Sequence, residues 1–186
     1  CDIEVPSDIS SAAFFMVAGC ISKDSSITLN SVNINPTRTG VIDILKLMGG
    51  NIELLNQRLQ AGELIADIKV SSSKLKGIQI PENLVPLAID EFPVLFIAAS
   101  CAEGETVLTG AKELRVKESD RIQVMADGLT SLGIENHVLE DGIRIMGGEL
   151  TKQVSSIKSH HDHRISMAFA IASVRSKFDI EIEGVD

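Results

Sequence analysis

The side chains able to do chemistry crowd into one stretch, Lys112-Glu113-Leu114-Arg115-Val116-Lys117-Glu118-Ser119-Asp120-Arg121-Ile122. Arg115, Lys117 and Arg121 stand at spacings of two and four, with Glu118 and Asp120 between them. The stretch lies between an apolar strand pattern and an amphipathic helix pattern, and the spacing predicts that it opens that helix. A helix start offers an anion its unpaired backbone N–H groups and the positive end of the dipole. Lys and Arg added there suit phosphate or carboxylate groups, and the planar Arg fork matches both. The plain alternative is a solvated, salt-bridged helix end that binds nothing.

Three aspartates frame this stretch. Asp8, Asp90 and Asp162 each lead an apolar helix pattern, and Phe15, Ile97 and Phe169 follow them at the same distance. Each apolar helix (near 12–22, 94–102 and 165–174) is followed by a strand, near 26–32, 106–109 and 179–183. In the first two rounds an amphipathic helix ending at Gly49 or Gly133 comes next, then two strands, near 51–56 and 65–71 or 135–139 and 143–146. Short strands near 2–7 and 77–81 open those rounds. The order is strand, helix, strand, helix, strand, strand, given twice and begun a third time, so internal repetition organises the chain. The fold class is α/β, built of repeated βαβαββ units near 1–73, 74–150 and 151–186, the last incomplete. One Asp before an apolar helix is most simply an N-cap, the reading taken for Asp8. Repeats that gather their helix starts at one end put Asp90 beside Arg115, Lys117, Arg121 and Arg164, where it does more than cap.

Composition narrows the function classes. A chain of 186 residues fits one domain or two small ones with a real core. Its net charge of −9 argues against a general nucleic-acid binder, which needs a basic face. No apolar run approaches the roughly 20 residues of a membrane span. Cys1, Cys20 and Cys101 show no CxxC spacing, and Cys20 and Cys101 read as buried free thiols of a reducing cytoplasm. With no Trp or Tyr, stacking on bases or sugars has little to work with. The chain opens without Met on a strand-like segment, which suggests a piece of a longer polypeptide.

The motifs Pro6-Ser7-Asp8-Ile9-Ser10-Ser11-Ala12, Asn35-Pro36-Thr37-Arg38-Thr39-Gly40, Asp90-Glu91-Phe92-Pro93, the LRVKESDR run from Leu114 to Arg121, and Asp162-His163-Arg164 occur in this order. Together they resemble the 3-phosphoshikimate 1-carboxyvinyltransferase (EPSP synthase) family over essentially the whole chain. The NPTRTG form is similar to the branch associated with glyphosate tolerance. The resemblance implies a fold with helices inside and sheets outside, and a parent enzyme of two such domains. This chain would be most of one of them. It implies transfer of the enolpyruvyl group of phosphoenolpyruvate to the 5-hydroxyl of shikimate 3-phosphate, in aromatic amino-acid biosynthesis, with no metal or cofactor. By motif, Arg121 and Arg164 would hold phosphoenolpyruvate and Lys117 would contact shikimate 3-phosphate. Asp90 would bind the shikimate hydroxyls and take the 5-OH proton, while Glu118 would protonate the vinyl carbon. Such paired acid and base steps need carboxylates in different environments. The implied partners are the two small substrates and the second domain of the same chain, in a cytoplasmic, monomeric parent.

Glu113 stands where some relatives carry an Asn that touches shikimate, and it is left out of the site. For Arg115 a structural salt bridge serves as well as a ligand role, and Arg38 is assigned by default to its helix start, with a place facing the cleft as the alternative. His160-His161-Asp162-His163 invites a metal reading, but neighbouring residues seldom converge on one ion. The Gly pairs lack phosphate-loop spacing, and no nucleophile elbow occurs. The rival in chemistry is transfer of the same group to a UDP-amino sugar. The rival in kind is a half-domain that binds or assembles without activity of its own.

Overall fold

The computed structural model describes residues 5–153 and 156–185, so the first half of the strand expected at 2–7 lies outside the described residues. In chain order, the first round holds α1 (Ile9–Ile21), β1 (Ser26–Asn33), α2 (Gly40–Leu47), β2 (Asn51–Gln60) and β3 (Glu63–Ser71). The second holds α3 (Phe92–Ser100), β4 (Glu105–Leu108), α4 (Arg121–Ser131), β5 (Asn136–Val138) and β6 (Ile143–Met146). β7 (Ile157–Lys158), α5 (His163–Ala172) and β8 (Ile182–Glu183) follow.

The apolar helices make the centre. α1, α3 and α5 pack against one another. Every residue of α3 is buried, as a helix apolar on all sides requires. α2 and α4 are one-sided, and both lean on α3. Their buried positions, among them Val41, Ile44 and Leu45 in α2 and Ile122, Met125 and Leu129 in α4, recur at helical spacing.

The sheets lie outside and repeat the same order. β3 runs between β1 and β2, β6 runs between β4 and β5, and all four pairings are antiparallel. In the central strand β3, Ile68 and Val70 face inward at the two-residue period, fully buried, while much of the edge strand β2 is exposed. Each round opens with a segment parallel to the strand that follows its apolar helix: Ser7 beside Val32, Lys76 and Gln79 beside Glu103 and Val107, and β7 beside β8. A helical crossover returns the chain in this sense.

Four elements differ from the sequence expectation; one is the last strand, expected at 179–183, of which only Ile182–Glu183 pairs, with β7. The segment 77–81 makes only an isolated bridge, Gln79 beside Val107, and at Gly77 its backbone runs so close to the backbone of Glu105 that a Cβ would not fit. β2 extends to Gln60 because Ala61 and Gly62, both at positive φ, turn it directly into β3. The charged stretch does not run into α4 as one helix. Lys112–Val116 forms a separate 3-10 turn anchored by fully buried Leu114. α4 then starts at Arg121, where Asp120 accepts from the Gln123 N–H at 3.1 Å.

Cys20 is buried, which pushes its thiol up to about 11 against the Ser73 hydroxyl, while Cys101 is only partly buried. No helix among the described residues is long and apolar enough to cross a membrane.

Candidate active site

The starts of all five helices are tied together by side chains. Asp8 caps α1, accepting from the Ser11 N–H at 2.8 Å. Although burial opposes it, hydrogen bonds from the Ser11 backbone and hydroxyl hold the Asp8 carboxyl below its ordinary range. Asp162 caps α5 through the Arg164 N–H at 3.0 Å. Asp90, the third member of the repeat, caps nothing. Glu91 occupies the cap position of α3 without capping it through its side chain, and the Asp90 carboxylate turns outward instead.

There it meets three cations from two segments of the chain. Lys117 Nζ and Arg121 Nη1 each stand 3.5 Å from Asp90 Oδ1, and Arg164 Nη2 stands 3.9 Å from Oδ2. Arg164 also donates from Nη1 to the Asp90 carbonyl at 3.1 Å, joining α5 to α3. Glu118 grips Arg121 Nη2 at 2.5 Å. All five residues singled out by sequence, Asp90, Lys117, Glu118, Arg121 and Arg164, therefore share one network. Of the four cations expected beside Asp90, Arg115 is not among them. Its guanidinium binds Asp120 at 2.7 Å and the carbonyls of Leu139 and Glu140, which fixes the 3-10 turn to the β5–β6 connection.

Exposure separates the members. The Arg121 side chain is 1% exposed, Arg164 17%, Lys117 23%, Asp90 37% and Glu118 53%. Arg121 is thus the floor of the site, and Asp90, Glu118, Lys117 and Arg164 form its open face. The separations of 3.5–3.9 Å around Asp90 are longer than tight charge-assisted bonds. Lys117 and Arg164, the two cations on the open face, are therefore placed to turn donors toward an incoming anion. Lys117 also pairs with Glu113 at 2.5 Å. That hydrogen bond, opposed by burial and helped by Asp90, raises the Lys117 pKa and keeps it charged.

Two supporting groups were legible only in part from sequence. Asp162 was legible only as a helix leader, yet it is the buried counter-ion of Arg121, with Oδ2 2.9 Å from Nε. Burial works against its charge, but the Arg121 bond and charge, the Ser119 hydroxyl and the Arg164 N–H hold its carboxyl below the ordinary range. Arg38 is the other. Its assignment to its own helix start is corrected: Nη2 donates to Ser10 Oγ at 2.7 Å, at the start of α1. The physical reason is that Thr39, not Arg38, stands at the cap position, and the nearest acceptors belong to the α1 start. A bare acid, Glu91, inside an apolar helix start was the available signal for this corner. Among the described residues, no group of three or more His, Cys, Asp or Glu side chains is arranged to hold a metal ion.

Fold and site together define a class: a repeat-built α/β protein that gathers its helix starts, a buried ion pair and exposed cations on one face. The family model for EPSP synthase (3-phosphoshikimate 1-carboxyvinyltransferase) matches residues 1–186, and the chain belongs to that family. It is 69% identical over 185 residues to the 3-phosphoshikimate 1-carboxyvinyltransferase of Vesicomyosocius okutanii subsp. Calyptogena okutanii, covering 100% of this chain and 42% of the relative. The protein of the same name from Ruthia magnifica subsp. Calyptogena magnifica is 71% identical over 184 residues, covering 99% and 42%. Among solved structures, an EPSP synthase from Acinetobacter baumannii superposes with a TM-score of 0.94 at 59% identity, covering 98% of this chain and 42% of that one. The chain thus spans less than half the length of the relatives it matches.

Proposed function

We propose that the intact protein transfers the enolpyruvyl group of phosphoenolpyruvate to the 5-hydroxyl of shikimate 3-phosphate and releases phosphate. This chain supplies most of one of its two domains, and the other domain closes over the face described above. The observation that carries the reading is the outward Asp90 carboxylate flanked by Lys117, Arg121 and Arg164. A base of this kind must sit among cations that hold two anionic substrates around it.

In this scheme Arg164 and Arg121 receive the phosphoenolpyruvate anion, with Arg121 kept in place by Asp162 beneath it. Lys117 binds shikimate 3-phosphate. Asp90 accepts a hydrogen bond from the 5-hydroxyl and takes its proton as the oxygen adds to C2 of phosphoenolpyruvate. Glu118 delivers a proton to C3, giving a tetrahedral adduct. Loss of phosphate from C2, with return of a C3 proton to Glu118, forms the enol ether. Each proton transfer by a positioned carboxyl is worth typically about 10²–10⁴ in rate. Closure of the second domain excludes water and strengthens each ion pair. The reaction runs without a cofactor, in a cytoplasmic monomer.

Calorimetric titration of shikimate 3-phosphate into the intact protein, beside Lys117→Ala, tests the reading. The substitution is expected to weaken binding by about 2 kcal/mol, the value of a charge-assisted contact. No binding to the unmodified protein would remove shikimate 3-phosphate as substrate and turn attention to a UDP-amino sugar.

A further inference from the structure

Glu91 is buried, at 4% exposure, next to the base proposed above. Among the described residues no Lys or Arg nitrogen reaches its carboxylate within 4.0 Å, unlike the buried Arg121–Asp162 pair. Its partner is the hydroxyl of Ser10, itself 3% exposed, which donates to Oε1 at 2.5 Å. The same hydroxyl accepts from Arg38 Nη2 at 2.7 Å. A hydroxyl has one proton to give, so giving it to Glu91 leaves its lone pairs turned toward Arg38. The chain Glu91–Ser10–Arg38 therefore runs in one direction, from a buried negative charge to a half-exposed guanidinium.

The base of Arg38 is fixed as well. Its N–H donates to the Asn35 carbonyl at 2.8 Å, and the Asn35 side chain accepts from Thr37. Gly40 N–H binds the Leu87 carbonyl, with so little room that a Cβ at Gly40 would meet the Leu87 backbone. The turn carrying Arg38 is thus seated on the loop that leads to Asp90 and Glu91. A second carboxylate competes for the side chain: Asp8 Oδ1 stands 3.8 Å from Nη2, and it is exposed. Both of these contacts use Nη2, and among the described residues the rest of the fork has no partner, which leaves it for an anion.

We propose that Glu91, acting through the Ser10 hydroxyl, is a positioning residue that holds Arg38 at the cleft face as a receptor for a phosphate or carboxylate group of substrate. This rests on the reaction proposed above. Glu91 itself touches no substrate. Burying a carboxylate without a cation is costly, and here burial raises the Glu91 pKa against the Ser10 bond. A purely structural link between α1 and α3 needs no charge.

The test uses the full-length protein, with the KM of each substrate measured separately. Glu91→Gln keeps shape and removes charge, Ser10→Ala breaks the relay, and Ser10→Thr restores its hydroxyl. Arg38→Ala identifies which anionic substrate this corner serves. Glu91→Gln and Ser10→Ala should raise the KM of that same substrate about tenfold, as for one lost charge-assisted bond. The other KM should stay put, kcat should fall less than about threefold, and Ser10→Thr should recover most of the loss. Glu91→Gln combined with Arg38→Ala should be no worse than Arg38→Ala alone, because the two act as one unit. Effects that add, or an Arg38→Ala effect with none from Glu91→Gln, overturn the positioning role. If Glu91→Gln lowers the melting temperature, the Ser10→Ala and Ser10→Thr pair decides the question. Failure of the unmodified protein to turn over shikimate 3-phosphate is a different result: it overturns the reaction and the inference with it.

Discussion

Arg121 and Asp162 form an ion pair sealed from solvent, with Nε 2.9 Å from Oδ2 and side chains 1% and 0% exposed. The pair joins the starts of α4 and α5 and sets the floor on which the exposed charges stand. Taking two charges out of water is expensive, and removing one partner strands the other. Asp162→Ala in the intact protein is therefore expected to lower unfolding free energy by about 3–5 kcal/mol, measured by denaturant titration. A loss below about 1 kcal/mol, the scale of an exposed pair, would mean that Arg121 finds another buried partner.

Acid should undo the same link. Burial opposes the charge on Asp162, but Arg121, Ser119 and the Arg164 N–H overcome it, so its folded pKa lies below the unfolded one. The folded state then binds that proton less well than the unfolded state. The stabilisation is complete above the ordinary Asp pKa of about 3.9 and is lost as pH falls through the lower folded value. Unfolding midpoints followed downward from neutral pH should fall more steeply below about pH 4 for the unmodified protein than for Asp162→Asn. Parallel curves would assign acid sensitivity to other carboxylates.

The repeat was legible because Asp8, Asp90 and Asp162 lead three apolar runs in register, and helix packing needs little more than that pattern. The charged stretch was legible as a site because cations of this density are unusual in an acidic chain. What failed was local. Nothing in the residue types shows that Leu114 anchors a separate turn, or that Gly77 lies against the Glu105 backbone. Those outcomes depend on the tertiary surface that receives the segment. The default for Arg38 failed for a related reason: sequence assigns a charged residue to the nearest helix end, whereas its fork reaches the start of another helix. Asp162 was seen as a cap, and it is one, but its second role needed the position of Arg121.

The three equivalent aspartates should separate on mutation. Asp8→Ala removes a helix cap and is expected to cost about 1 kcal/mol of stability. Asp90 caps nothing and is 37% exposed, so Asp90→Asn should leave the melting temperature nearly unchanged. Turnover by the intact protein should instead fall by about 10²–10⁴, the contribution of a positioned general base. A Asp90→Asn variant that retains turnover while losing stability would make Asp90 structural and remove it from the chemistry.

Glu118 gives the last contrast, between holding Arg121 and moving a proton. The two are joined at 2.5 Å, so a structural role is the simplest alternative. Yet Glu118 is 53% exposed, and Arg121 keeps its buried bonds to Asp162 when Glu118 is gone. Glu118→Gln should therefore change stability by no more than about 1 kcal/mol, as for an exposed pair. Its kcat should fall by about 10²–10⁴ if the carboxyl delivers and removes the C3 proton. Calorimetry should find shikimate 3-phosphate binding little altered, because Lys117 carries that contact in the proposed scheme. Turnover in deuterated water separates the roles further. A residue that moves the C3 proton controls exchange of deuterium into the vinyl group, and Glu118→Gln should suppress that exchange along with kcat. Exchange that persists at the unmodified rate would leave Glu118 as a clamp on Arg121 and send the proton transfer to another group on the same face.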